Sequence, residues 1–221
     1  MKFKPNYFNT EKARTSQIIR KDGKTYTLRE DKMRFFFPDE WMAFYGVLKR
    51  TQYPTFMFLI STGMRIAETR GVAVADVDFG RNSIIIRNTK SRNKDGTRKI
   101  RVISVSNQFI KYLRFLIKKY KLKPEDNFPI LSTPAANIAM DKALKIIGIK
   151  DRKNFSVHSV RKTTECWMMS LGMDSLKVAK HIGHTIAIAQ KYYVSPDTFS
   201  FEDKKMMREI LGDLYQHTQR F

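Results

Sequence analysis

The chain has 221 residues, enough for one sizeable domain or one domain with an arm, and its 42% hydrophobic content can fill a core. Forty-two Lys and Arg against 21 Asp and Glu leave a formal charge of +21, which repels itself unless a polyanion is near. A nucleic acid is the expected partner, with a ribosomal or membrane-surface role as the bland alternative.

The single cysteine, Cys166, excludes an intramolecular disulfide and reads as a core residue beside Trp167, Met168 and Met169. No apolar run approaches the ~18 residues of a membrane span. Met1–Pro5 leads into no signal-peptide core. The expectation is a soluble, cytoplasmic protein with no membrane partner.

Residues 1–37 form a basic arm in which Gln17–Lys21 and Lys24–Leu28 flank Asp22-Gly23, a two-residue hairpin signal. This is either a nucleic-acid-contacting ribbon or a surface hairpin with solvated lysines. Pro38 then opens a helix with Asp39 and Glu40 in its first turn, where carboxylates suit the helix dipole, and the compact domain is placed at residues 38–200. Residues 54–61 are apolar all round and predict a buried helix ending at Thr62-Gly63, with Gly63 in the left-handed cap. Arg65 follows at once, so its guanidinium starts near the interior and needs an anion there. Glu68, three residues on, can hold it, either as a plain local ion pair or as support for a site.

Val77–Asn82 is turn chemistry before a β-branched strand at Ser83–Arg87. A second strand, Lys99–Val105, alternates basic and apolar residues as a half-exposed strand should. Between them Thr89–Arg98 makes a hairpin tip dense in charge, with Lys90, Arg92, Lys94 and Arg98 suited to lie beside phosphates. Helices are predicted at Asn107–Tyr120 and Pro134–Ile147. Ser156 then caps the first of a further run of helices, which places His158 and Arg161 three residues apart near a helix N-terminus, a favourable anion site. Gly183-His184 follows, and Tyr193 comes nine residues after His184. The last segment, residues 201–221, carries an apolar stripe of Met207, Ile210, Leu211 and Leu214 that can pack on its own domain or dock on a neighbouring protomer.

Taken together, Thr62-Gly63-Met64-Arg65-Ile66-Ala67-Glu68, a hairpin lysine about 25 residues later, His158-Ser159-Val160-Arg161-Lys162-Thr163, and Ile182-Gly183-His184 followed by Lys191-Tyr192-Tyr193 resemble, in order, the catalytic domain of the tyrosine recombinases, the integrase and Xer-like family. The resemblance implies an α+β fold, mostly helical with a small antiparallel sheet. It also implies a site-specific recombinase that cleaves and rejoins DNA through a 3′-phosphotyrosyl intermediate, with no metal, cofactor or ATP. Carried over residue by residue, Arg65 and Arg161 stabilise the phosphate oxygens, His158 and His184 add hydrogen bonds, Lys90 protonates the departing 5′ oxygen, and Tyr193 attacks. Glu68 supports the site, and Arg92, Lys94, Arg98 and Lys162 contact double-stranded DNA.

Family members are expected to be monomers that assemble as tetramers on DNA. The 37 residues before Pro38 are too few for the usual separate N-terminal domain, so the chain reads as a fragment or a minimal recombinase. Tyr192 and Tyr193 point about 100° apart on a helix, and the spacing from His184 favours Tyr193. Rival readings are a decayed module that only binds DNA, a type IB topoisomerase, and a metal-dependent nuclease using Asp76-x-Asp78 or His181-x-x-His184. The acidic pair reads more simply as a turn, and the histidine pair lacks a third ligand.

Overall fold

The computed structural model describes the backbone of residues 17–19 and 25–27, and residues 34–87, 96, 99–149, 152–185, 198–212 and 214. Helices dominate: α1 (Pro38–Gly46), α2 (Tyr53–Thr62), α3 (Ile66–Arg70), α4 (Asn107–Tyr120), α5 (Thr133–Ile146), α6 (Val157–Ser170), α7 (Ser175–Ile182) and α8 (Phe201–Leu211). The strands are β1 (Gln17–Ile19), β2 (Thr25–Thr27), β3 (Val77–Asp78), β4 (Ser83–Ile86) and β5 (Arg101–Ser104). β1 and β2 form one antiparallel pair, and β3, β4 and β5 form an antiparallel sheet in that order. The α+β architecture is therefore the one expected. Among the described residues no helix is long and apolar enough to cross a membrane.

Two details depart from the sequence reading. A two-residue Asp22-Gly23 turn would set Ile19 opposite Tyr26, but Ile19 pairs with Thr25, so the hairpin register is shifted by one residue. On β5 the alternation is present with its phase reversed: Ile100 and Val102 are exposed, while Arg101 turns inward with Ile103 and Val105. The core needs Ile103 opposite Ile84, and the period of two then carries Arg101 to the same face.

α2 is apolar all round because it lies between two cores. Phe56, Leu59 and Ile60 join the larger cluster, built from α1, α5, α6, α7 and α8, whereas Phe58 joins a smaller one with Ile84, Ile86, Ile103, Phe109 and Leu113 over the sheet. A segment just ahead of α1 is threaded into the larger core. Phe35, Phe36 and Phe37 are buried, the Phe36 N–H donates to Thr163 Oγ1 (2.9 Å), and Trp167 Nε1 donates to the Phe36 carbonyl (3.1 Å). Glu40 accepts the Phe37 N–H at 2.8 Å, satisfying one orphan donor at the start of α1. At the other end of the chain Met207, Leu211 and Leu214 are buried in the same core. Three residues of the apolar stripe are thus covered by their own domain.

α6 is the axis of the larger core, buried from Val157 to Ser170 except at His158. It crosses the end of α2, where Thr164 Oγ1 donates to the Ile60 carbonyl at 3.0 Å. Gly63 closes α2 at φ +61, and a Cβ there would lie 2.4 Å from Ile182 Cδ1 of α7. Glycine suits both the left-handed backbone and this crowded three-helix junction. That junction sets the chain directions after Gly63 and Gly183, from which Arg65 and His184 emerge.

Candidate active site

Arg65 leaves the Gly63 turn in extended conformation and caps α3 from outside the helix. Glu68, in the first turn of α3, reaches back. Its Oε2 accepts the Arg65 backbone N–H and its Oε1 accepts the Arg65 Nη1 proton, both at 3.0 Å. The same carboxylate accepts from Arg101 Nη2 at 3.1 Å and lies 3.9 Å from Arg161 Nη1. Glu68 is 2% exposed, so a buried carboxylate gathers three guanidiniums from α6, β5 and the start of α3. Such a charge is tolerated in the interior only because it is paired and hydrogen-bonded.

Arg161 is the most enclosed of the three. Its Nη1 donates to the Gly63 carbonyl at 2.9 Å, which ties α6 to the turn that presents Arg65. Its Nη2 is buried with no hydrogen-bond partner among the described residues, and the same holds for Arg101 Nε. Burial, and then the charge of Arg65, push Arg161 down to about 9 against the opposing pull of Glu68 and Glu165. Burial likewise lowers Arg101. Both effects mean that a further anion would be welcome here.

His158 sits on the one exposed position of α6, in its first turn, behind the Ser156 cap whose Oγ accepts the His158 N–H at 3.2 Å. Desolvation by the packed protein around part of its ring, and then the charges of Arg161 and Arg65, hold its imidazole below 6.5. His184 enters from the end of α7. Gly183, at φ +85, closes the helix, and its N–H and that of His184 both donate to the Ala179 carbonyl, at 2.8 and 3.1 Å. A Cβ on Gly183 would fall 1.5 Å from Arg101 Nη1 and 2.5 Å from its Cζ, so the β5 guanidinium points its Nη1 end at this turn. The His184 ring is turned inward, with Nε2 2.8 Å from Glu165 Oε1 and Nδ1 3.1 Å from the Thr185 carbonyl oxygen.

The structure therefore brings Arg65, His158, Arg161 and Glu68 together, with His184 joined through Glu165. Lys90, Arg92, Lys94, Arg98, Tyr192 and Tyr193 lie outside the described residues. Lys162, expected at the DNA surface, is buried instead at 8% exposure, because α6 is enclosed on nearly every side. The residues of the metal reading have structural duties. Asp76 accepts from Arg87 Nε and the Ala73 N–H, Asp78 accepts the N–H groups of Gly80 and Arg81, and His181 Nε2 donates to the Thr62 carbonyl at 3.1 Å. Asp76 and Asp78 thus make the turn expected of them.

Two residues at this site escaped the sequence reading. Arg101 was signalled by strand parity, since it shares a face with Ile103. Glu165 was signalled as the one acidic residue in α6, one turn after Arg161 and next to the apolar stretch Cys166–Met169.

Solved recombinases share this fold. The Tn1549 transposon integrase, in complex with transposon right end DNA, superposes with a TM-score of 0.60 at 20% identity over 83% of this chain and 67% of that chain. The XerA recombinase crystal structure gives a TM-score of 0.57 at 19% identity over 85% of this chain and 66% of that chain. Residues 38–198 match the model of the phage integrase family, and the chain belongs to that family. It is also 27% identical over 168 residues to the tyrosine recombinase XerA of Pyrococcus horikoshii, which covers 71% of this chain. The chain spans about half, 55%, of that relative's length.

Proposed function

We propose that the chain is a site-specific DNA recombinase of the integrase type, cleaving and rejoining double-stranded DNA by transesterification through a 3′-phosphotyrosyl intermediate. Tyr193 gives its phenolic proton to one of the two histidines and attacks the phosphorus, the bond to the 5′ oxygen breaks, and Lys90 gives a proton to the leaving alcohol. A second 5′-hydroxyl reverses the step, so the phosphodiester energy is kept without metal or ATP. Arg65 and Arg161 supply forked donors to the nonbridging oxygens, where negative charge grows in the transition state. His158 and His184 add donors, and assembly into a tetramer on DNA would bring the exchanging strands together.

The observation that carries this reading is Arg161 Nη2, a buried cationic donor without an acceptor among the described residues, beside Arg65 and His158. Leaving a buried donor unmade costs about 1–3 kcal/mol, more when charged, and a phosphate oxygen would satisfy it. Incubation with a nicked trapping substrate in excess EDTA, followed by denaturation, should leave a protein-linked strand. Tyr193→Phe should abolish the adduct and Tyr192→Phe should keep it; the reverse pattern moves the nucleophile to Tyr192. DNA binding without any adduct would make the chain a binding module, and supercoil relaxation without joining of two sites would make it a topoisomerase.

A further inference from the structure

Glu165 is a second buried carboxylate at this site, 4% exposed, on the α6 turn that follows Arg161. An acid so enclosed is costly unless a cation or a hydrogen-bond donor meets it. Its Oε1 and His184 Nε2 are 2.8 Å apart, within ion-pair distance, and both are shut off from solvent; neither makes an aligned hydrogen bond to any described residue, so the contact between them is close but off-line. Each is therefore the partner the other lacks. The opposite ring nitrogen, Nδ1, lies 3.1 Å from the carbonyl oxygen of Thr185, an exposed residue at the end of the turn. The negative charge of Glu165 also reaches His158 and Arg161, opposing their desolvation.

Near the phosphate site an acid would ordinarily be a liability. Counting the described charges, Arg65, Arg101, Arg161 and Lys162 give four positive and Glu68 and Glu165 two negative, so Glu165 takes away one of three positive charges that would otherwise face the phosphate. Glu165 is thus tolerable only if holding a donor in place outweighs its repulsion of the substrate. Histidines that act on a substrate are commonly oriented in this way, with one nitrogen held by a carboxylate so that the other is presented.

We propose that Glu165 is a positioning residue for His184: its carboxylate faces the Nε2–H of a ring protonated on both nitrogens, and so presents the Nδ1–H to a phosphate oxygen in place of the Thr185 carbonyl. This rests on the function proposed above, but half of its test does not need catalysis.

The first measurement is a nitrogen–proton correlation spectrum of the histidine rings in the full chain without DNA. A proton on Nε2 of His184 is expected in the wild type, and Glu165→Ala should redistribute it; an unprotonated Nε2, or a His184 signal indifferent to Glu165→Ala, overturns the proposal. The second is a cycle of adduct-forming rates on the nicked substrate with Glu165→Ala, His184→Ala and both together. Glu165→Ala alone should slow adduct formation at least about tenfold, and should cost less than about twofold once His184 is already alanine. Equal losses in both backgrounds would give Glu165 a role independent of His184. Glu165→Gln keeps the shape and an acceptor oxygen, so it should fold if Glu165→Ala does not, and it should retain more activity than alanine; activity no better than alanine's would refute the orienting hydrogen bond. If the wild type forms no adduct, the recombinase reading fails while the ring spectra still decide whether Glu165 holds His184.

Discussion

The guanidinium of Arg101 lies against the backbone of Gly183, so close that a Cβ on Gly183 would fall 1.5 Å from its Nη1. One contact thereby joins the strand leading out of the charged hairpin to the turn that carries His184, and through the 3.1 Å bond to Glu68 it joins both to Arg65. The arginine network and the histidine turn are a single packed unit.

Gly183→Ala tests that unity. Alanine at φ +85 costs about 1–2 kcal/mol from the left-handed backbone alone, and the new Cβ must also displace Arg101. Adduct formation should fall at least about tenfold, since misplacing a site by about 1 Å can cost more than that. Adding Arg101→Ala should recover part of the thermal stability by clearing the collision without restoring the backbone. No recovery in a melting experiment would mean that backbone strain is the whole effect.

Glu68→Ala removes the carboxylate that Arg65, Arg101 and Arg161 share. Uncompensated buried charges of this kind cost about 3–5 kcal/mol, and urea denaturation should read a loss of that order. Sulfate should stabilise the variant more than the wild type, because the emptied centre between three guanidiniums suits an oxyanion. Equal sulfate effects would argue against that pocket.

His181 makes stability depend on pH. The tight packing around its ring pushes it down to about 4, so it stays neutral in the folded chain while the unfolded chain takes up a proton near 6.5. Between those values the unfolded state binds more protons, and stability falls as pH drops from about 6.5 towards 4, by up to about 3 kcal/mol and less where water reaches the ring edge. His181→Gln can still donate to the Thr62 carbonyl but does not titrate. The wild-type stability curve should therefore be steeper than the variant's in this window, and parallel curves would reject the assignment.

Lys90 as the general acid predicts a chemical rescue. Lys90→Ala should cleave an ordinary phosphodiester slowly, by about 100-fold or more, and recover on a substrate whose 5′ bridging oxygen is sulfur, a leaving group that needs no proton. Absence of rescue would pass the role to Lys94 or Lys99.

Local sequence determined the elements and their ends. Pro38 with its acidic first turn, the apolar run closing at Gly63, and Ser156 ahead of His158 each carry their own capping chemistry, and the structure uses each of them as read. The ordered arginines and histidines also identified the family, because that pattern is linear in the chain. Tertiary structure alone decided which charges meet. Arg101 lies 33 residues from Glu68, and the phase of its strand followed from the core's demand for Ile103. Glu165 reaches His184 only because α7 folds back beside α6. Buried electrostatics depend on ångström distances between segments remote in sequence, and hydrophobic packing sets those distances.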